Sequence, residues 1–173
     1  MLKSLTLVLG GASSGKSSFA ENLVVQTGYE KIYLATAQAW DDEMRTKVLQ
    51  HREQRGSQWI THEEPLNPAT VLGSATSTQV VLLDCATMWL SNHLLADSDL
   101  AEVENQLFDA IDKCQAPIVV VSNEVGLCVV PDNALARRFQ NAQGRLNQKL
   151  AAQADLVVTV MAGLPLALKG QLP

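Results

Sequence analysis

The stretch Leu5-Thr6-Leu7-Val8-Leu9-Gly10-Gly11-Ala12-Ser13-Ser14-Gly15-Lys16-Ser17 decides the fold of this chain of 173 residues. Its first five residues are apolar except for one threonine and predict a short buried strand, and apolar side chains recur at helical spacing after Ser17. Between strand and helix stands G-x-x-x-x-G-K-S, the phosphate-binding P-loop, in the strand–loop–helix context that this motif requires. A chance glycine-rich turn would not be framed in this way. The sequence therefore predicts a site for a nucleoside triphosphate.

Each residue type in this loop has a chemical reason. Gly10 and Gly15 carry no Cβ, so consecutive backbone N–H groups can converge on phosphate oxygens, and the following helix adds its free N-terminal N–H groups. We expect Lys16 to reach the β- and γ-phosphates and the Ser17 hydroxyl to ligate Mg²⁺. The predicted phosphate-binding residues are Gly10, Gly11, Ala12, Ser13, Ser14, Gly15, Lys16 and Ser17.

Composition and charge narrow the class of protein. Hydrophobic residues make up 47% of the chain, and its length suits one domain over residues 1–173. The net charge of −5 disfavours a general nucleic-acid or membrane-surface binder. Cys85, Cys114 and Cys128 lack C-x-x-C spacing, which fits reduced thiols better than a disulfide frame or a zinc site. Residues 5–9 are too short for the core of a signal peptide, and no apolar run reaches the length of a membrane span, so we expect a soluble, cytoplasmic protein.

Short apolar runs alternate with helical patterns along the rest of the chain. The predicted strands after the P-loop are residues 31–36, 59–64, 79–84, 117–122 and 155–161. The predicted helices are residues 18–26, 42–55, 69–75, 100–114 and 133–153. Because the strands are uniformly apolar, the sequence predicts an α/β fold with a mostly parallel sheet covered by helices on both faces. In such folds ligands bind at the carboxyl ends of the strands.

Asp84 is the predicted acidic partner of the P-loop. It ends a run of four apolar residues, Val80–Leu83, where P-loop proteins place the carboxylate that holds Mg²⁺ directly or through water. A helix or turn cap is the other common role of an aspartate after a strand. The P-loop upstream favours the metal role.

His51 is the candidate nucleophile. On the predicted helix 42–55, Lys47, His51 and Arg55 follow one another at intervals of four residues and share one stripe. Two flanking cations oppose protonation of the imidazole and favour its neutral, nucleophilic form, and they also attract phosphate. A histidine on a basic helix face is more often a solvated surface residue, so the pattern by itself leaves both roles open. His62 and His93 have no comparable setting, and we expect structural roles for them.

Several further motifs occur in one order along nearly the whole chain. They are Gly10–Ser17, Tyr33–Ala37, Asp42–Met44, His51–Arg55, Trp59–Pro65, Leu83–Asn92, Ser122–Gly126, Val130–Pro131, Arg138–Phe139, Gly144–Gln148 and Ala154–Asp155. In these motifs the sequence resembles the bifunctional adenosylcobinamide kinase / adenosylcobinamide-phosphate guanylyltransferase family of cobalamin biosynthesis. The ordered set is far more specific than a P-loop alone.

The resemblance implies two reactions. The first phosphorylates adenosylcobinamide with ATP or GTP, and the second transfers GMP from GTP to the product through a guanylyl-histidine, giving adenosylcobinamide-GDP. The histidine that matches the family's nucleophile is His51. The residues that match its guanine-nucleotide contacts, besides the P-loop, are Ala35, Thr36, Ala37, Arg52, Glu53, Gln54, Arg55, Glu63 and Asp84. Family members are similar to RecA-like P-loop NTPases and assemble as trimers, so the resemblance also implies a homotrimer.

The chain departs from the family pattern at two places. The family usually has arginine where this chain has Ser13, and a small or glycine-bearing segment where it has Leu127-Cys128-Val129. Asn123 and Glu124, at the end of a predicted strand, are candidates for orienting the substrate or a water, with a loop-stabilising role as the alternative. The competing functions are a simple P-loop small-molecule kinase and a nucleotide-regulated binding protein whose partner interface switches on hydrolysis.

Overall fold

The computed structural model of the chain describes residues 2, 4–38 and 58–173. Its strands are β1 (Leu5–Gly10), β2 (Glu30–Ala35), β3 (Trp59–Glu63), β4 (Gln79–Asp84), β5 (Ile118–Asn123), β6 (Leu156–Met161) and β7 (Leu164–Lys169). The helices of the described ranges are α1 (Lys16–Val25), α2 (Ala69–Ser74), α3 (Ala86–Leu95), α4 (Leu100–Lys113) and α5 (Ala134–Gln153).

The seven strands form one sheet in the order β3-β2-β4-β5-β1-β6-β7. All neighbouring pairs are parallel except β6 and β7, which are antiparallel. The predicted mostly parallel α/β sheet is therefore confirmed. No helix within residues 4–38 and 58–173 is long and apolar enough to cross a bilayer.

Side chains along each strand alternate between two covered faces of the sheet, which explains why the strand sequences are continuous apolar runs. In β1, Leu5, Leu7 and Leu9 pack on one face of the sheet with the buried side chains of α2 to α5, whereas Val8 packs on the other face with α1. Successive side chains of a strand point to opposite faces, so a sheet covered on both sides needs an apolar residue at nearly every position. The prediction of helices on both faces is confirmed.

Two elements were not predicted from the sequence. Helix α3 is capped by Cys85, whose Sγ accepts a hydrogen bond from the N–H of Met88 at 3.4 Å, and cysteine is not among the usual cap residues. Its inner face contains Trp89 and Leu90, which are 1% and 0% exposed. The spacing of Trp89, Leu90, His93 and Leu94 is the signal that would have indicated this helix.

The other element is strand β7, which forms a hairpin with β6. Ala162 and Gly163 make the two-residue turn, both at positive φ (53° and 78°), as in a type I′ hairpin. The sequence predicts residues 155–161 as the final strand, whereas in the structure β7 follows it. The predicted helix 42–55 lies outside the described residues.

Candidate active site

The parallel strands bring their carboxyl ends to one edge of the sheet. At this edge Gly10 of β1 lies opposite Asn123 of β5, and Ala35 of β2 lies opposite both Asp84 of β4 and Glu63 of β3. Strands in a sheet are about 4.8 Å apart, so β4 is about 10 Å from β1 and β3 is about 19 Å from it. The P-loop, Asp84 and Glu63 thus lie along one edge, with Asp84 nearer the loop.

The two P-loop glycines are required for different reasons. Gly15 adopts φ +92°, a left-handed conformation that side chains other than glycine rarely occupy. At Gly10, a Cβ would stand 2.7 Å from the carbonyl oxygen of Val160 and would also collide with Ser14 Oγ. The loop can therefore follow this path only with glycine at both ends.

The turn of the β6–β7 hairpin packs against the P-loop and supports it. The N–H of Gly163, in the hairpin turn, donates to the carbonyl oxygen of Ser14 at 2.9 Å. A Cβ on Gly15 would lie 3.2 Å from the Cα of Gly163, so the two backbones are in close contact. Sequence reasoning missed this support because it did not predict the hairpin.

Helix α1 begins at Lys16 with Gly15 as its N-cap, and no side chain of the described residues caps its first N–H groups. Such uncapped N–H groups at a helix N-terminus bind anions, and the helix dipole adds positive potential there. Lys16 folds its ammonium onto the loop, donating to the carbonyl oxygen of Gly11 at 3.0 Å. A triphosphate in the loop would therefore meet both the N–H groups and this cation.

Asp84 is oriented by Tyr33, a residue that sequence reasoning did not assign to the site. The Tyr33 hydroxyl donates to Asp84 Oδ2 at 3.0 Å, and the tyrosine is buried at 8% exposure. The signal for this contact is the strand register, because Tyr33 lies opposite Leu82, two residues before Asp84. The N-cap of α3 is Cys85, so Asp84 does not cap this helix.

Thr36 ties the ends of β2 and β4 together. Its Oγ1 donates to the Cys85 carbonyl at 2.7 Å and accepts from the Cys85 N–H at 2.9 Å, and its own N–H donates to the Asp84 carbonyl at 3.2 Å. Its carbonyl accepts from Asn92 Nδ2 at 2.8 Å. Thr36 is fully buried, and its hydroxyl is used in these contacts, which show a structural role. The nucleotide contact expected of Thr36 stays a prediction. Ala35 and Ala37 on either side are half-buried.

The Cys85 thiol is not a competing nucleophile at this edge. Burial raises the pKa of Cys85 to about 11, and the neighbouring Asp84 carboxylate adds to the effect. A thiol with this pKa stays protonated at neutral pH, and only the thiolate is a strong nucleophile.

Comparison with known proteins places this architecture in a family. The family model for cobinamide kinase / cobinamide phosphate guanyltransferase matches residues 6–168. The chain belongs to this family. It is 43% identical over 168 residues to the bifunctional adenosylcobalamin biosynthesis protein CobP of Pseudomonas aeruginosa, covering 95% of this chain and 97% of that protein. It is 36% identical to the bifunctional protein CobU of Salmonella typhimurium, covering 95% and 99%.

Solved structures agree with a P-loop NTPase fold. The flagellar accessory protein FlaH of Methanocaldococcus jannaschii superposes with a TM-score of 0.54 at 13% identity, over 99% of this chain and 80% of that chain. The RadB recombinase gives a TM-score of 0.50 at 18% identity, over 91% and 74%. At these identities the likeness shows the fold alone. The chain is thus an enzyme of the cobinamide kinase / cobinamide phosphate guanyltransferase family, and it has a P-loop NTPase fold.

The predicted nucleophile of this family enzyme, His51, and its neighbours Arg52, Glu53, Gln54 and Arg55 lie outside the described residues. His62, on β3, is exposed. His93 is buried, with Nε2 3.0 Å from the carbonyl oxygen of Leu66 and Nδ1 3.0 Å from Ser98 Oγ. Burial lowers the pKa of His93, which favours the neutral ring in this polar contact. The structural role expected for His93 agrees with these contacts.

Replacing Asp84 by asparagine tests whether this cobinamide kinase family site uses the carboxylate for a metal. The Asp84→Asn change keeps the shape of the side chain and removes the charge that a metal contact requires. We expect the Mg²⁺ concentration for half-maximal activity to rise at least about tenfold, with a small change in the thermal midpoint.

The matched control is Asp109→Asn, which removes an exposed carboxylate of α4 whose ion pair with Lys113 lies on the surface. This variant should leave the Mg²⁺ dependence unchanged. An Asp84→Asn enzyme with wild-type Mg²⁺ dependence, or one whose loss follows entirely from a fallen thermal midpoint, would show that the carboxylate serves the fold.

Proposed function

We propose that the enzyme first transfers the γ-phosphoryl group of ATP or GTP to the hydroxyl of the aminopropanol arm of adenosylcobinamide. The observation that carries this proposal is the shared sheet edge, where Lys16 and the uncapped start of α1 lie on the same side as the Tyr33-oriented Asp84. Phosphoryl transfer depends on positioning and on neutralising charge at the β- and γ-phosphates. In this proposal Lys16 and the loop N–H groups do both.

The residues of this edge suit Mg²⁺. Ser17 offers a hydroxyl oxygen and Asp84 a carboxylate oxygen, and hard oxygen donors of this kind are what Mg²⁺ prefers. The Tyr33 hydroxyl holds Asp84 Oδ2 in one orientation, which a metal contact needs. When bound, the cation would neutralise the charge that develops on the phosphates. Ser17 and Asp84 are the residues that would hold it.

The second proposed reaction uses His51 as a covalent nucleophile. The imidazole nitrogen attacks the α-phosphate of GTP, a P–N bond forms, and the bond to the leaving pyrophosphate breaks. A phosphate oxygen of adenosylcobinamide phosphate then attacks the same phosphorus and releases His51, giving adenosylcobinamide-GDP. Because the transfer is divided into two displacements, GTP and adenosylcobinamide phosphate need not be bound at the same time.

The family gives the two activities, and the motif His51-Arg52-x-x-Arg55 supplies the residue for the second. Arg52 and Arg55 are cations that can balance the charge on the α-phosphate during the attack. Glu63, exposed at the end of β3, is a proposed contact for the guanine nucleotide at the far end of the edge. On the family resemblance alone, we also propose a homotrimer, which sedimentation equilibrium would test.

Labelled GTP separates this function from its rivals. Incubation with GTP labelled at the α-phosphate should leave about one label per active site after denaturation, because the guanylyl group is covalently held. Incubation with GTP labelled at the γ-phosphate is the matched control, and it should leave none. Neither a simple small-molecule kinase nor a nucleotide-regulated binding protein would retain the α-label, so its absence from denatured protein would contradict the guanylyl-enzyme.

A further inference from the structure

Strand β5 extends past the end of its neighbour β4 at the active edge. The pairing of β5 with β4 ends where Val121 lies opposite Asp84, and the chain of β4 then turns into α3. Asn123, two residues farther along β5, pairs with no strand of the described ranges on that side. A backbone N–H or C=O group that is buried without a partner costs about 1–3 kcal/mol, so this end of β5 needs other partners.

Two side chains replace the missing strand. Thr87 Oγ1, in the first turn of α3, accepts from the N–H of Asn123 at 2.8 Å. Asn147 Nδ2, in the middle of α5, donates to the carbonyl oxygen of Asn123 at 3.0 Å. The backbone of one residue is thus held from two helices.

A buried polar network fixes the second of these side chains. Asn147 Oδ1 accepts from Ser122 Oγ at 2.7 Å and from Gln143 Nε2 at 2.9 Å, and Gln143 Nε2 also contacts Ser122 Oγ at 2.9 Å. Ser122 and Gln143 are fully buried, and Thr87 and Asn147 are 5% and 6% exposed. Gln143 Oε1 has no partner among the described residues, whereas the polar side-chain atoms of Thr87, Ser122 and Asn147 are paired. Paired polar groups at this depth rigidify the backbone that they hold.

The residue that this network holds borders the P-loop. Asn123 lies opposite Gly10 in the register of β1 and β5, and the N–H of the next residue, Glu124, donates to the Gly10 carbonyl at 3.1 Å. Asn123 is half-buried at this edge, and its side chain makes no hydrogen bond to the described residues. Its Oδ1 is buried, whereas its Nδ2 is not among the buried atoms that lack a partner, so Nδ2 is the atom of the carboxamide available to a ligand. Its position lies between the phosphate loop and Asp84.

We propose that Thr87 and Asn147 are positioning residues that fix the backbone of Asn123, so that its carboxamide N–H donates to the oxygens of the phosphoryl group in transfer. This assignment rests on the proposed function, because it requires phosphoryl transfer at the P-loop edge. A preorganised donor aimed at developing charge stabilises the transition state more than the ground state. Asn123 contacts the reacting group, and Thr87 and Asn147 act through it.

The test is a matched series at Thr87. Thr87→Val keeps the shape of the side chain and removes the acceptor for the Asn123 N–H, whereas Thr87→Ser keeps the hydroxyl. We expect Thr87→Val to lower kcat of the kinase step about 10- to 100-fold, with nucleotide Kd within about threefold of wild type, because small misplacements cost rate more than binding. Thr87→Ser should recover most of kcat.

Thr6→Val is the control for the same chemical change elsewhere. Thr6 lies near the start of β1, is fully buried, and its Oγ1 has no partner among the described residues, so valine should cost nothing there. Thr6→Val should therefore keep both kcat and Kd.

A double-mutant cycle tells positioning from general support of the fold. If Thr87 acts through Asn123, the loss of kcat in Thr87→Val combined with Asn123→Ala should not exceed that of the worse single variant by more than about twofold. Should Thr87→Val fail to fold, Asn147→Leu removes the other bond to Asn123 with an apolar side chain of similar shape, and it should lower kcat in the same way.

Three results would each overturn this assignment and leave the proposed function intact. They are additive losses in the cycle, a kcat of Thr87→Val within about twofold of wild type, and a Thr87→Ser enzyme as impaired as Thr87→Val. A wild-type enzyme without phosphoryl transfer, or one whose transfer survives Lys16→Ala, would overturn the proposed function and this assignment with it.

Discussion

Lys16→Ala is expected to lose at least about 100-fold in kcat/KM for the kinase step and to lose guanylyl transfer as well. Removal of one donor aimed at developing charge commonly costs about 10²- to 10³-fold, and Lys16 supplies a full positive charge at the phosphates. In the structure its ammonium is held at the loop by the Gly11 carbonyl at 3.0 Å, so it is already close to where the triphosphate would lie. Steady-state kinetics with ATP and with GTP measure the loss, and equilibrium binding shows how much of it is affinity.

The fold should survive this substitution. Lys16 is half-buried at the mouth of the loop, and its described hydrogen bond is to the loop itself. Lys113→Ala is the control, since it removes a lysine of α4 whose ion pair with Asp109 is exposed and contributes little. A Lys16→Ala enzyme that binds GTP as tightly as wild type and turns it over normally would contradict the P-loop assignment.

The P-loop could be predicted from sequence because its determinants are local. The motif lies within 21 residues, from Leu5 to Val25, which contain the strand, the two glycines, the lysine and the helix. The role of each part follows from its neighbours in the sequence. The position of Asp84 at the same edge also follows from the sequence, since parallel strands end on one side of a sheet. These are the parts of the site where pattern and structure agree.

The contacts that support the site were not predictable in the same way. Gly163 reaches Ser14 only through a hairpin, and Tyr33 reaches Asp84 only through the pairing of β2 with β4. The motif Gly144–Gln148 was visible in the sequence without a role, and the structure shows that its Asn147 holds the end of β5. Such contacts join residues that are 24 to 149 positions apart, so no local pattern signals them.

His51→Ala is expected to abolish retention of the α-label while it leaves at least about a third of the kinase activity. Only the second reaction needs a nucleophile from the protein, because phosphoryl transfer depends mostly on positioning and charge neutralisation by Lys16 and Asp84. The wild-type adduct should be a phosphoramidate, labile in acid and stable in base. An acyl phosphate on a carboxylate would be labile in base, so the stability of the label identifies the residue type.

His62→Ala is the matched control for this prediction, because His62 is an exposed histidine on β3 at the same sheet edge. It should retain the label. Arg55→Ala should slow formation of the adduct without preventing it, because it removes charge and leaves the nucleophile in place. If His51→Ala still captured the α-label and His62→Ala did not, the nucleophile would be His62. If His51→Ala lost both reactions together with nucleotide binding, His51 would be a residue of a shared nucleotide pocket. The prediction that only guanylyl transfer needs His51 would then be wrong.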